Sequence, residues 1–215
     1  PEYGHTYVSE YVQSLYNLTK KLEQAEILSS FSCMSFSDIV ESRNFLISNF
    51  YFLQKDCSHI LFIDADMVYP TELVLDMLAF NKPIVGVAAP KRQYNPLTGK
   101  PLLAIGKVLS ESNQGFVRVE SCGASVLLIS RECIDEMVKK MPEIVDDVYF
   151  KNMPYKNIFK SFLRPFDKIT TDKEILSEAL SFCYRWVERC SGEIWINVKY
   201  RIDHVGRHVF SNTER

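Results

Sequence analysis

The chain has 215 residues, 47% hydrophobic and 24% charged, a composition that suits one globular domain with enough apolar surface for a core. Lys+Arg 25 against Asp+Glu 27 leaves a net charge of −2, which argues against a nucleic-acid partner and against a polybasic membrane patch. No apolar run approaches the ~20 residues of a membrane span, no signal-peptide pattern opens the sequence, and Cys33, Cys57, Cys122, Cys133, Cys183 and Cys190 are scattered without a CxxC pair, as reduced thiols of a cytoplasmic protein are.

A turn at Pro1 to Gly4 opens the chain, and a strand is expected upstream of it. Tyr7, Tyr11, Leu15, Leu18 and Leu22 then recur near helical spacing. "AEILSSFSC" (25–33) reads as a strand. "SDIVESRNFLISNFYFLQ" (37–54) reads as a helix capped by Ser37 or Asp38. "HILFIDAD" (59–66) is a short continuous apolar strand of the kind found inside parallel sheets. Pro70 and Thr71 open the next helix, and "PIVGVAAP" (83–90) is the next strand. This alternation predicts an α/β protein with a central, mostly parallel sheet flanked by helices.

After Lys91 the pattern changes. A turn-rich stretch leads to two strands in "FVRVESCGASVLLIS" (116–130) and the helix "RECIDEMVKKM" (131–141). Residues 146–172 show weak periodicity and read as a long loop. "KEILSEALSFCYRWVERC" (173–190) is an amphipathic helix with Gly192 as its stop, and "EIWINVKYRIDHVG" ends the fold with a strand and a His-Gly turn. A second, smaller mixed half-sheet is expected from this part of the chain.

Residues i and i+2 of an extended chain point to one side, so Asp64 and Asp66 converge while Ala65 turns away. Two carboxylates that close stay ionised together only beside a cation. The carboxyl end of a parallel strand is also where open α/β sheets bind ligands. A hard divalent ion, Mg²⁺ or Mn²⁺, completed by ligand phosphates, fits such a pair. The plainer alternative is that one aspartate caps the following helix and the other is solvated. His204, at the end of the last strand beside Gly206, is a further ligand candidate that would favour Mn²⁺, and His208 competes for that role. His5 and His59 have no evident partner.

"HILFIDADMVYPTELVLDML" followed by "KPIVGVAAPKRQ" resembles the metal-dependent nucleotide-sugar glycosyltransferases of the GT-A fold. The resemblance is closest to their small viral and phage members. It spans nearly the whole chain, and it implies a fold, a set of ligands and a reaction. The fold would be one GT-A domain over 1–215, with a nucleotide-binding half at 1–92 and an acceptor and catalytic half at 93–215. The metal ligands would be Asp66, Asp64 and His204, Asp64 also serving the ribose. The nucleotide would lie against Pro1, Tyr3, Gly4, Asp38, Arg43, Asp64, Ala65 and Asp66. Gly123 and Ala124 would line the sugar and acceptor pocket. Ser177-Glu178 resembles the family's "SED" element, with Ala179 where the family carries Asp, so Glu178 is the expected base and Asp167 and Asp172 are spare candidates. The donor would be a UDP-sugar, UDP-glucose by default, and the acceptor a glycan or glycoprotein. Lys91 and Arg92 can serve the phosphates or be solvated surface charges. Nothing in the sequence specifies an oligomeric state.

Two other readings share these residues. "LFIDADMV" also matches the first motif of haloacid-dehalogenase-like phosphatases, with Asp64 as nucleophile, Asp66 as acid/base, Ser130, Lys139 or Lys140, and Asp146 with Asp147. Against it, about 60 residues of βα structure precede the motif. The second is a nucleotide-sugar-binding module without turnover, which Ala179 keeps open. No GxxxxGK[ST] or GxGxxG is present.

Overall fold

A computed structural model describes residues 7–34, 38–111, 114–149, 160–206 and 210–212. In chain order the elements are α1 (Ser9–Gln24), α2 (Ile39–Phe52), β1 (His59–Ile63), β2 (Met67–Val68), α3 (Thr71–Phe80), β3 (Ile84–Val87), β4 (Pro90–Tyr94) and β5 (Pro101–Leu103). They continue with β6 (Val108–Glu111), β7 (Phe116–Val119), β8 (Val126–Ser130), α4 (Arg131–Lys140), β9 (Val145–Asp146), β10 (Phe162–Leu163), α5 (Glu178–Tyr184), β11 (Ile194–Asn197), β12 (Asp203–His204) and β13 (Phe210–Ser211).

The central sheet has six strands in the order β1-β8-β3-β11-β7-β6. It is mixed: β3 and β11 pair in parallel, while β1–β8, β8–β3, β11–β7 and β7–β6 are antiparallel. The expectation of a mostly parallel sheet with a separate half-sheet is corrected here. β1 and β3 do run in the same direction, as the helix–strand alternation implies. β8, from the second half of the chain, is inserted between them, with Ile63 opposite Val126 and Gly86 opposite Leu127. An all-buried run such as "VLLIS" carries no mark of its direction, because both neighbours of a central strand ask for the same apolar surface.

Helices cover both faces. On one, Ile47 and Phe50 of α2, Ile134 and Met137 of α4, and Phe182 of α5 pack against Phe62, Ile84, Leu127 and Ile129. On the other, Leu18 and Leu22 of α1 and Leu73, Val74 and Met77 of α3 pack against Val85, Val87, Val126 and Leu128. The alternation of Leu127 and Ile129 with Val126 and Leu128 between the two cores is the period-two signature of a strand buried on both sides.

Three other expectations change. Residues 27–34 form no strand, and Leu28 is 99% exposed; alternating apolar residues do not make a strand where no sheet edge offers a partner. The last helix starts at Glu178, because Thr171 binds Glu174 and Thr170 bridges Ile175, leaving Ser177 as the cap. A π-helical turn, Arg185–Arg189, then ends it. The described parts of 146–172 include the short pair β9–β10. Ser37 lies outside the described residues.

Candidate functional site

The chain ends of β1 and β3 and the start of β8 meet at one edge of the sheet. Asp64 follows β1 directly, and its N–H bonds to the Ser125 carbonyl at 2.8 Å. The chain then turns, with Met67 N–H on the Asp64 carbonyl at 3.1 Å, so Ala65 and Asp66 sit in the turn rather than in extended strand. This corrects the expectation that both carboxylates project to one side. They reach two different sets of partners.

Asp64 belongs to Arg43. That arginine sits on α2, whose start is fixed by Asp38, its carboxylate accepting from Val40 N–H at 2.7 Å. The guanidinium is 3% exposed. Its Nη1 donates to the Ala124 carbonyl at 2.7 Å and its Nη2 to Asp64 Oδ1 at 3.2 Å. Its Nε lies 3.6 Å from Glu178 Oε1, too long for a hydrogen bond but close enough for charge pairing. Phe62 and Phe166 flank the cation. Arg43 thus gathers Asp64, Ala124 and Glu178 from three separate stretches of sequence. Gly123 is held beside them by its N–H on the Ala104 carbonyl at 2.7 Å, and an added Cβ would stand 3.0 Å from the Ala104 Cβ.

Asp66 belongs to His204. β12 pairs with β2, placing His204 opposite Met67, and Val205 N–H bonds to the Asp66 carbonyl at 2.9 Å. This ladder brings His204 Nε2 to 3.2 Å from Asp66 Oδ2. His204 Nδ1 is 3.0 Å from the Pro90 carbonyl. A carbonyl only accepts, so Nδ1 carries the hydrogen and Nε2 turns toward a carboxylate that also only accepts. A proton or another cation is therefore required between them. Burial pushes the Asp66 carboxyl up, but the hydrogen bond and charge of His204 and the charge of Arg92 outweigh it and hold the carboxyl below its ordinary value. Burial pushes the imidazole down, but the Asp66 hydrogen bond and the Pro90 carbonyl leave it above its ordinary value. Arg92, from β4, donates Nη2 to Asp66 Oδ2 and to the Val205 carbonyl, the latter at 3.0 Å.

Asp66 and His204 can hold a divalent ion only with ligand oxygens filling the remaining positions. Among the described residues no three His, Cys, Asp or Glu side chains form a metal-holding group, and Asp64 is directed to Arg43. Pro1, Tyr3, Gly4, His5 and His208 lie outside the described residues. Lys91 is exposed on β4. Asp167 accepts from the buried Asn44 Nδ2 at 2.7 Å and lies 3.7 Å from Arg164. Asn44 was not singled out from the sequence, where nothing marks it as buried; it lies fully buried on α2 with Ser48 on the same face, and a buried amide must find partners. The phosphatase constellation is not assembled. Ser130 pairs with His59 at the opposite end of β1 from Asp64, where it caps α4, and Asp146 is bonded to Arg164. Among the described residues no cysteine is in a disulfide. No described helix is long and apolar enough to cross a membrane.

No family model matches this chain, and no curated protein matches it. Among solved structures the chain is similar to A197 from STIV, an archaeal-virus protein, at a TM-score of 0.50 and 12% identity, over 100% of this chain and 92% of that one. At that identity the likeness shows a common α/β fold. The resemblance to the GT-A glycosyltransferases of small viruses and phages is thereby corrected: the Asp-x-Asp segment and its flanks carry no family assignment, and the full-length likeness is to the fold of A197.

Proposed function

We propose that the chain is a divalent-metal-dependent transferase that moves a sugar from a nucleoside-diphosphate sugar to a hydroxyl of a glycan or glycoprotein. The observation that carries this reading is the Asp66–His204 pair, an imidazole nitrogen 3.2 Å from a carboxylate oxygen with its other nitrogen fixed on a backbone carbonyl. Metal-ligating histidines have their second nitrogen held in this way. The mixed oxygen and nitrogen donor set suits Mn²⁺ ahead of Mg²⁺. A two-residue protein shell leaves positions for diphosphate oxygens.

When bound, such an ion neutralises charge on a departing diphosphate. The other roles fall to side chains of this chain. Arg43 fixes Asp64 and Glu178 without itself reaching solvent. Glu178, at the first turn of α5, takes the proton from the acceptor hydroxyl. Asp64, partly exposed beside it, accepts hydrogen bonds from ribose or sugar hydroxyls. Arg92 lies where phosphate charge would develop. Uridine and glucose are the starting assumptions for the donor.

The test is thermal stability with UDP-glucose and Mn²⁺, Mg²⁺ or EDTA, followed by donor turnover. The expected result is stabilisation by the nucleotide only with metal, since a ligand that binds the native state alone raises stability by mass action. Stabilisation equal in EDTA would overturn the metal-dependent reading. Stabilisation without transfer or donor hydrolysis would leave a nucleotide-sugar-binding module. Hydrolysis of an aryl phosphate at Asp64 would favour the phosphatase.

A further inference from the structure

One oxygen of the candidate metal site is already occupied by a cation that belongs to the protein. Asp66 Oδ2 receives Arg92 Nη2 on one side and faces His204 Nε2 at 3.2 Å on the other. Arg92 is held by a second bond to the Val205 carbonyl at 3.0 Å, and its Cζ lies 3.4 Å from where a Gly206 Cβ would stand. Yet the side chain is 49% exposed, and it extends from β4 of the β4–β5 hairpin. The same strand supplies the Pro90 carbonyl that fixes His204. β4 therefore carries both the residue that orients one candidate ligand and the residue that neutralises the other.

A divalent ion seated between His204 Nε2 and Asp66 Oδ2, the oxygen that faces the imidazole, takes the oxygen Arg92 holds. It would also stand within a few ångströms of the guanidinium, where like charges repel in a half-buried setting. Arg92 has somewhere to go, because its side chain is half exposed. A diphosphate on the metal would present oxygens that a planar guanidinium binds in bidentate fashion.

We propose that Arg92 is a tethered counter-cation, holding Asp66 until a divalent ion takes that carboxylate and then transferring its guanidinium to the diphosphate. This rests on the metal reading above. It adds that metal and nucleotide bind with positive coupling: metal alone must expel Arg92, whereas metal with diphosphate gives it a new partner. Arg92 is on this account a positioning residue that suppresses metal binding in the absence of nucleotide.

The experiment is Mn²⁺ binding followed by electron paramagnetic resonance, without nucleotide and with UDP, in the wild type, Arg92→Met, Arg92→Lys and Asp66→Ala. Arg92→Met keeps the apolar stem and removes the charge. It is expected to bind Mn²⁺ alone about tenfold more tightly and UDP with Mn²⁺ about tenfold more weakly, the factor of a single charge-assisted contact. Arg92→Lys, keeping the charge, is expected to retain the weak binding of Mn²⁺ alone. If Arg92→Met binds Mn²⁺ no better than wild type while Asp66→Ala abolishes binding, the counter-cation idea fails and the metal site stands. If wild type and Arg92→Met both leave Mn²⁺ free, with or without UDP, both the idea and the metal site fail.

Discussion

Arg43 Nη2 lies 3.2 Å from Asp64 Oδ1 while Nη1 of the same guanidinium donates to the Ala124 carbonyl at 2.7 Å, so one buried cation ties the end of β1 to the approach to β8. A cation with 3% exposure and fixed partners cannot be removed without taking a buried donor from the Ala124 carbonyl and a counter-charge from Asp64 and Glu178. Arg43→Met is expected to lose about 3 kcal/mol of stability in urea unfolding. Arg43→Lys should recover little of it, since an ammonium cannot span Asp64, Ala124 and Glu178 together. Full recovery by lysine would show that charge alone matters there.

Asp66 and His204 differ in how much each can be spared. Asp66→Ala removes the carboxylate facing Nε2 and is expected to abolish the Mn²⁺-dependent stabilisation by UDP-glucose. His204→Gln leaves one hard ligand and should weaken that stabilisation at least tenfold, within the usual effect of disturbing a metal shell. Equal stabilisation of wild type and Asp66→Ala would place the nucleotide elsewhere.

Glu178→Gln separates binding from transfer. The amide keeps the shape of the side chain beside Arg43 but cannot take a proton, so transfer is expected to fall about 10²–10⁴-fold. UDP affinity with Mn²⁺ should stay within about twofold of wild type. Unchanged transfer would move the base to Asp167, although its bond with Asn44 already fixes that carboxylate in place.

How much of this was legible in the sequence depends on whether a signal is local. The turn into α3, the Asp38 cap and the apolar strand before Asp64 each lie within a few residues of their cause, and the structure has all three. The insertion of β8 between β1 and β3 rests on pairings over more than 40 residues, to which periodicity is blind. The Asp64–Arg43 pair was hidden for the same reason, whereas His204 was named with Asp66 from its place at a strand end. Asp64 and Asp66 are two positions apart, yet a turn at Ala65 sends one to α2 and the other to β12. Arg92 could be read only as a phosphate contact or a solvated surface charge, because its partners Asp66 and Val205 lie far from it in sequence.

Asp146 gives the acid limb of stability a residue-level test. Burial pushes its carboxyl up, but the Arg164 hydrogen bond at 2.9 Å and the N–H groups of Val148 and Tyr149 outweigh it and hold the carboxyl below its ordinary value. A carboxyl depressed in the folded state stabilises above its unfolded value of ~3.9 and loses that contribution as pH falls through the lower, folded value. Asp146→Asn should therefore lower the urea midpoint at neutral pH and show a shallower fall below about pH 4 than wild type. Parallel acid limbs for the two proteins would mean that Asp146 titrates alike folded and unfolded.

Gly192 was expected to stop the last helix, and the left-handed residue after that helix is Ser191, with φ of 54°. Gly192 is needed for a different reason. Its N–H bonds to the Trp186 carbonyl at 3.0 Å, and an added Cβ would lie 2.0 Å from the Trp186 ring. That ring is buried and fixed, its Nε1 donating to the Glu193 carbonyl at 3.0 Å. Gly192→Ala must shift the indole or the chain and is expected to cost about 1–3 kcal/mol, as overpacking does. Ser191→Gly relieves a strained conformation, so it should be neutral or stabilising by up to about 1 kcal/mol. Thermal unfolding of the two variants gives opposite signs if space limits position 192 and backbone conformation limits position 191. A destabilised Ser191→Gly with a tolerated Gly192→Ala would reverse that assignment.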